Sequence, residues 1–112
     1  MDKITKYRNI IKKLLIRHAE IVGNQCNEEM ETLLSFDEER DQYLWLQVGW
    51  EHHRVHGITL HLRLKDDKIW IEQDWTENGI ATHLLEAGVP NEDMVLAFHP
   101  PEMRTLTEFA VA

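Results

Sequence analysis

The sequence predicts a single α+β domain spanning residues 1–112: an N-terminal helix, a four-stranded antiparallel meander and C-terminal helices. Three observations lead there. Apolar residues recur at three- and four-residue steps as far as Val22, then at two-residue steps from Met30 to Ile71. The links between the later strands are too short for anything but antiparallel pairing. A chain of 112 residues, 43% hydrophobic and 29% charged, suits one packed core rather than two, and it is not the composition of a disordered chain.

The first helix follows from Ile4, Tyr7, Ile11, Leu14, His18 and Ile21, with Ile10, Leu15 and Val22 widening the same stripe. Gly23-Asn24 supplies its stop, because both residues tolerate the left-handed conformation. A polar loop around Cys26 follows, then a first strand over Met30–Phe36 and a charged tip at Asp37–Asp41. In the second strand Leu44, Leu46, Val48 and Trp50 are expected to face the core, with Tyr43, Trp45 and Gln47 on the far side. In the third, Ile58, Leu60, Leu62 and Leu64 face the core, opposite Thr59, His61, Arg63 and Lys65.

Face matching sets the expected register, since a one-residue slip moves every apolar side chain to the wrong side. A three-residue loop, His52-His53-Arg54, pairs Val48 with Ile58, Leu46 with Leu60 and Leu44 with Leu62, and sets Gly49 against Gly57. An Asp66-Asp67 turn then pairs Leu64 with Ile69 and Leu62 with Ile71. The far face collects Tyr43, Trp45, His61, Arg63, Trp70 and Glu72, where a solvated face would carry Thr, Lys and Glu. That cluster is the candidate protein interface, to be covered either by the C-terminal segment or by another molecule. Beyond it, Thr76 or Asn78 caps a helix holding Ile80, Leu84 and Leu85, and Gly88 with Pro90 ends it. Met94–Phe98 is an apolar run open to either strand or helix, and Pro100-Pro101 forces extended backbone before a last turn at Glu102–Thr105.

Charge is unevenly placed. The net charge is −8, which disfavours tight independent binding to nucleic acid. Residues 1–22 nevertheless carry Lys3, Lys6, Arg8, Lys12, Lys13 and Arg17 against Asp2 and Glu20, a net +4 on a body of −12. These six cations are the candidate nucleic-acid contacts, set against the plainer reading of a solvated helix face. The lone cysteine, Cys26, and the absence of an apolar run of about 20 residues lead to an expected cytoplasmic home, away from membranes.

Little in the sequence promises catalysis. His52, His53 and His56 lie in or beside a hairpin loop, and His56 and His61 are expected on opposite faces of their strand, so they do not share an ion. His99 beside Pro100-Pro101 has only Glu102 as an obvious partner for acid–base work, and a loop-fixing hydrogen bond is the plainer role. No P-loop, GxGxxG or GxSxG is present, so no enzyme, cofactor or metal site is expected.

Several phrases together nonetheless resemble one family. They are Tyr7-Arg8 with Ile10-Ile11, Asp41-Gln42-Tyr43, Val48-Gly49-Trp50 and Arg54-Val55-His56-Gly57. The strongest are residues 68–77 (KIWIEQDWTE), Gly88-Val89-Pro90, Phe98-His99-Pro100-Pro101-Glu102 and Phe109-Ala110-Val111-Ala112. Over nearly its whole length the chain resembles the XisI family of cyanobacteria, the fdxN-element excision controlling factors; one departure is Asp67, where the family's turn is expected to carry Gly. The resemblance implies a non-enzymatic accessory factor in programmed DNA excision during heterocyst differentiation, beside a separate site-specific recombinase. It also implies a XisH-like protein partner. The aromatic far face leads to an expected homo-oligomer, and direct DNA binding through the basic first helix is the alternative. The resemblance carries over no catalytic residues.

Overall fold

In the computed structural model, residues 2–25, 30–76, 79–104 and 106–110 are described; Cys26 and Asn78 lie outside them. The chain runs α1 (Lys3–Gln25), β1 (Met30–Asp37), β2 (Gln42–Glu51), β3 (His53–Lys65), β4 (Lys68–Asp74), α2 (Ile80–Glu86), a 3-10 turn (Asn91–Asp93), β5 (Met94–Leu96) and α3 (Pro101–Arg104). The strands form one sheet in the order β1-β2-β3-β4-β5. The α+β class and the antiparallel meander of the first four strands are as expected. The fifth strand is a correction: Met94–Leu96 pairs parallel to β4, with Met94 opposite Ile69 and Leu96 opposite Ile71. A parallel neighbour needs a crossover, and α2 supplies it.

The two longer helices, α1 and α2, cover one face of the sheet. Tyr7, Ile11 and Leu15 of α1, with Ile80 and Leu84 of α2, are buried against Tyr43, Trp45, Leu60, Leu62, Leu64, Ile69 and Ile71. The helical stripe therefore lands as expected in its first half, whereas Ile21 is exposed. Asp2 opens α1 as an N-cap, its Oδ1 accepting from the Thr5 amide at 2.7 Å.

The second strand is turned over relative to expectation. Tyr43 and Trp45 lie in the core, 0% and 4% exposed, and Leu44, Leu46 and Val48 stand on the opposite face. The cause is a register shift. Near the tip only His52, at φ 66°, stands between the paired Glu51 and His53, and Leu46 lies opposite Ile58. At the next step Trp45 lies opposite Leu60, so Thr59 is an extra residue in β3. A bulge of this kind exchanges the faces of a strand. Ile58 thus sits on the outer face and Leu60 on the inner one, although the alternation of residue types runs through them unbroken. The expected pairs of Val48 with Ile58, Leu46 with Leu60 and Leu44 with Leu62 do not form, and Gly49 faces Val55 rather than Gly57.

The β3–β4 hairpin matches expectation near its turn, pairing Leu64 with Ile69 and Leu62 with Ile71; a second register shift then sets His61 opposite Gln73 rather than Glu72. Its turn residues Asp66 and Asp67 have φ of 54° and 62°, the type I′ geometry that two-residue hairpins favour. The departure at position 67 therefore leaves the left-handed turn in place, although Asp tolerates that region less well than Gly. Asp67→Gly is expected to raise unfolding stability by about 0.5–1 kcal/mol in urea melts. Trp45→Ala, by contrast, empties the core under α1 and is expected to cost about 3–5 kcal/mol by the same measurement.

Candidate functional site

The charged side chains of α1 first serve the fold. Tyr7 donates its hydroxyl to Asp93 Oδ2, and Lys3 Nζ reaches the same oxygen at 2.9 Å. Arg8 donates to Asp41 Oδ1 at 3.1 Å from Nε and 2.9 Å from Nη2, and to the Tyr43 hydroxyl at 3.1 Å. Lys12 pairs with Glu38 at 2.5 Å. Burial pushes Tyr7 well above the usual phenol range, with the hydrogen bond to Asp93 adding to it. Burial, helped by Asp41, pushes Tyr43 up to about 12. Burial opposes ionisation of Asp93, yet the hydrogen bonds from Tyr7 and Lys3 outweigh it and hold the carboxyl below its ordinary value.

Of the six candidate nucleic-acid contacts, Lys3, Arg8 and Lys12 are therefore engaged within the chain. Among the described residues Lys6, Lys13 and Arg17 make no ion pair. Arg17 lines a cavity of about 430 Å³ between α1 and α2, with His18, His83 and Glu86. There the two imidazoles meet edge to face at 4.6 Å, and His18 Nδ1 lies 2.8 Å from the Leu14 carbonyl.

The six residues of the candidate interface divide. His61, Arg63, Trp70 and Glu72 share the outer face, where Arg63 donates to Glu72 at 3.1 Å and lies opposite Trp70. Tyr43 and Trp45 do not belong with them; the Thr59 bulge has turned them under α1. The chain itself covers the β4 side. The Trp70 ring has Lys65 Nζ at 4.9 Å and the Arg104 guanidinium at 5.6 Å, and its indole donates to the Lys65 carbonyl. Arg104 is held in turn by the His99 and Ala97 carbonyls. Toward β1 the outer face presents Leu33, Leu44, Leu46, Val48 and Ile58, none of which joins the core cluster.

The same bulge places His56 and His61 on one face, correcting the expected opposition. No group of three metal-ligating side chains occurs among the described residues. His61 is held below the ordinary imidazole range by burial. The His99 ring packs on Phe98 at 4.6 Å, while its carbonyl accepts from Arg104.

A surface that the alternation pattern did not single out lies where β4 ends. Trp75 is 75% exposed and Phe98 48%, and they line a groove of about 400 Å³ with Glu72, Gln73 and Asp74. Asp74 is occupied structurally: Oδ1 accepts from the Thr76 amide and hydroxyl, and Oδ2 accepts from the Ile80 amide at 2.8 Å, at the start of α2. The only signal for this surface was position, since Trp75 falls between the last residue of β4 and the start of α2.

The fold and its surfaces define a small α+β scaffold covered by helix on one side, whose most perturbed titratable groups tie helix to sheet. The chain belongs to the XisI family: the family model described as XisI protein matches residues 1–111. It is similar to the crystal structure of a XisI-like protein from Anabaena variabilis ATCC 29413, with 37% identity and a TM-score of 0.88 over 96% of this chain and 98% of that one. It is also similar to the fdxN element excision controlling factor XisI from the same organism, with 43% identity and a TM-score of 0.84 over 99% and 100% of the two chains. The comparison with curated proteins returns no match.

Because the Asp93 carboxyl is held below its ordinary value, its contribution is present above the unfolded-state value near pH 4 and is lost as pH falls through the folded value. Asp93→Asn is expected to cost about 2 kcal/mol at neutral pH, and the gap from the parent chain to narrow at pH 3. Urea melts of both proteins at the two pH values measure it.

Proposed function

We propose that this chain is a non-enzymatic controlling factor in programmed excision of a DNA element, the step linked to heterocyst differentiation. In this reading it works in the cytoplasm through a XisH-like protein partner rather than by chemistry of its own. Family membership supports the general role, since a relative of 43% identity is a fdxN element excision controlling factor. The observation that carries the partner is the exposed aromatic pair, Trp75 and Phe98, beside Glu72 and Asp74 on a chain of net charge −8. Aromatic anchors rimmed by carboxylates suit a protein surface with an apolar pocket and basic edges. The two large titration shifts support the absence of catalysis: Tyr7 and Tyr43 sit in ties between α1 and the sheet, and neither lines either cavity described above.

Direct DNA contact by α1 is the weaker reading, because phosphate neutralisation would rest on Lys6, Lys13 and Arg17 while the body repels the duplex.

Co-expression with the XisH-like protein, pull-down and titration calorimetry test the proposal. A stable complex is expected, and Trp75→Ala with Phe98→Ala is expected to weaken it by at least about 30-fold, the loss of roughly 2 kcal/mol typical of one anchor. No complex with the parent chain sinks the partner reading. A duplex-DNA shift that weakens with salt and disappears on neutralising Lys6, Lys13 and Arg17 would favour the alternative.

A further inference from the structure

The geometry points to a site for one divalent transition-metal ion, such as zinc, in the cavity between α1 and α2, with His18 and His83 as its nitrogen ligands. The cavity holds about 430 Å³ and shares no residue with the Trp75–Phe98 groove. Its two imidazoles come from different helices far apart in sequence, so no spacing motif reveals them. Nδ1 of His18 lies 2.8 Å from the Leu14 carbonyl. A carbonyl only accepts, so Nδ1 carries the proton, and Nε2 of the neutral ring keeps its lone pair. Metal-binding histidines are oriented in this way, donating their other nitrogen to a carbonyl or carboxylate. The His83 ring makes no hydrogen bond among the described residues; it meets His18 with centroids 4.6 Å apart and planes at 79°. Two rings that share a tetrahedral zinc through bonds of about 2.0 Å have centroids about 5 Å apart, so this pair needs little movement to share an ion.

Glu86 supplies the third ligand. It follows His83 by three residues, so both project from one side of α2, and both line the cavity. Its carboxylate does not stand with the imidazoles in the metal-free arrangement, where no three-ligand group occurs among the described residues. The side chain is exposed and makes no ion pair among those residues, so an ion draws it in and leaves the fourth position to water. His83 lies in the last turn of α2, where unpaired carbonyls favour positive charge. Arg17 lines the same cavity and opposes a cation, but it is exposed and screened by water. An anion fits less well, because the neutral His18 offers an acceptor and the end of α2 repels negative charge. Once bound, the ion clamps the second half of α1 to the helix that makes the crossover to β5. The site does not depend on the partner proposed above.

Titration calorimetry of zinc chloride into the full chain, first stripped with a chelator, tests the assignment. One ion per chain is expected at a micromolar dissociation constant, and no binding at about 1 mM overturns it. His18→Ala and His83→Ala are each expected to weaken binding at least about tenfold, while His53→Ala on the β2–β3 hairpin leaves it unchanged. Equal binding by the parent and both cavity variants puts the ion elsewhere and overturns the site. Should His18→Ala unfold, since its ring also packs 6.3 Å from that of Trp45, His83→Ala carries the test alone. Glu86→Gln is expected to weaken binding about threefold or more, and Arg17→Gln to strengthen it about threefold by removing a like charge. Weaker zinc binding by Arg17→Gln, or inorganic phosphate bound in place of zinc and lost in that variant, sinks the cation site.

Discussion

A sheet has two faces, and this chain places its long helix on only one of them. The 23 residues of α1 supply Tyr7, Ile11 and Leu15, enough to seal the sheet from one side. Everything else depends on which side chains are offered to that stripe. The single extra residue at Thr59 decides it: Leu60, Leu62 and Leu64 go inward with Tyr43 and Trp45, and Ile58 goes outward with Leu46. Without the shift, two aromatic rings would stand in solvent and three aliphatic side chains would fill the core less completely. The bulge thus buys the larger apolar payload for the buried face.

How legible this was depends on the range of the signal. The first helix and the Asp66-Asp67 turn are local, and periodicity or turn chemistry reveals them. The position of the bulge is not local. Ile58, Leu60, Leu62 and Leu64 alternate without a break, and only cross-strand partners and the helix above tell inner from outer. The face of β2 was therefore misread, and Tyr43 and Trp45 with it, while His61, Arg63, Trp70 and Glu72 were correctly grouped. Strand β5 was equally hidden, because three residues give no periodicity and their parallel pairing depends on a crossover. The partners of half the helix cations were hidden for a related reason: Asp93, Asp41 and Glu38, which pair with them, lie far away in sequence.

Electrostatics in this protein therefore does two different kinds of work. Charges near α1 are spent on positioning, through Asp93 for the turn before β5 and through Asp41 for the turn before β2. What faces outward is apolar or aromatic with charge at its margins, a pattern that gives specificity by orientation more than by raw attraction. Both exposed surfaces follow from topology: the aliphatic one because α1 is single, the aromatic one because the chain leaves the sheet at Trp75 to make its crossover.

The bond from Tyr7 to Asp93 spans 86 positions in the sequence. On a ribosome, the helix and the first four strands emerge well before the segment that holds the carboxylate. Until then Tyr7 has no acceptor, Ile69 and Ile71 lack the neighbouring Met94, and the growing sheet keeps an open edge at β4. Contacts of such long sequence separation form late and slowly. The nascent chain therefore presents an unfinished sheet during synthesis, and its escape from aggregation rests on how quickly the segment from Asp93 onward follows.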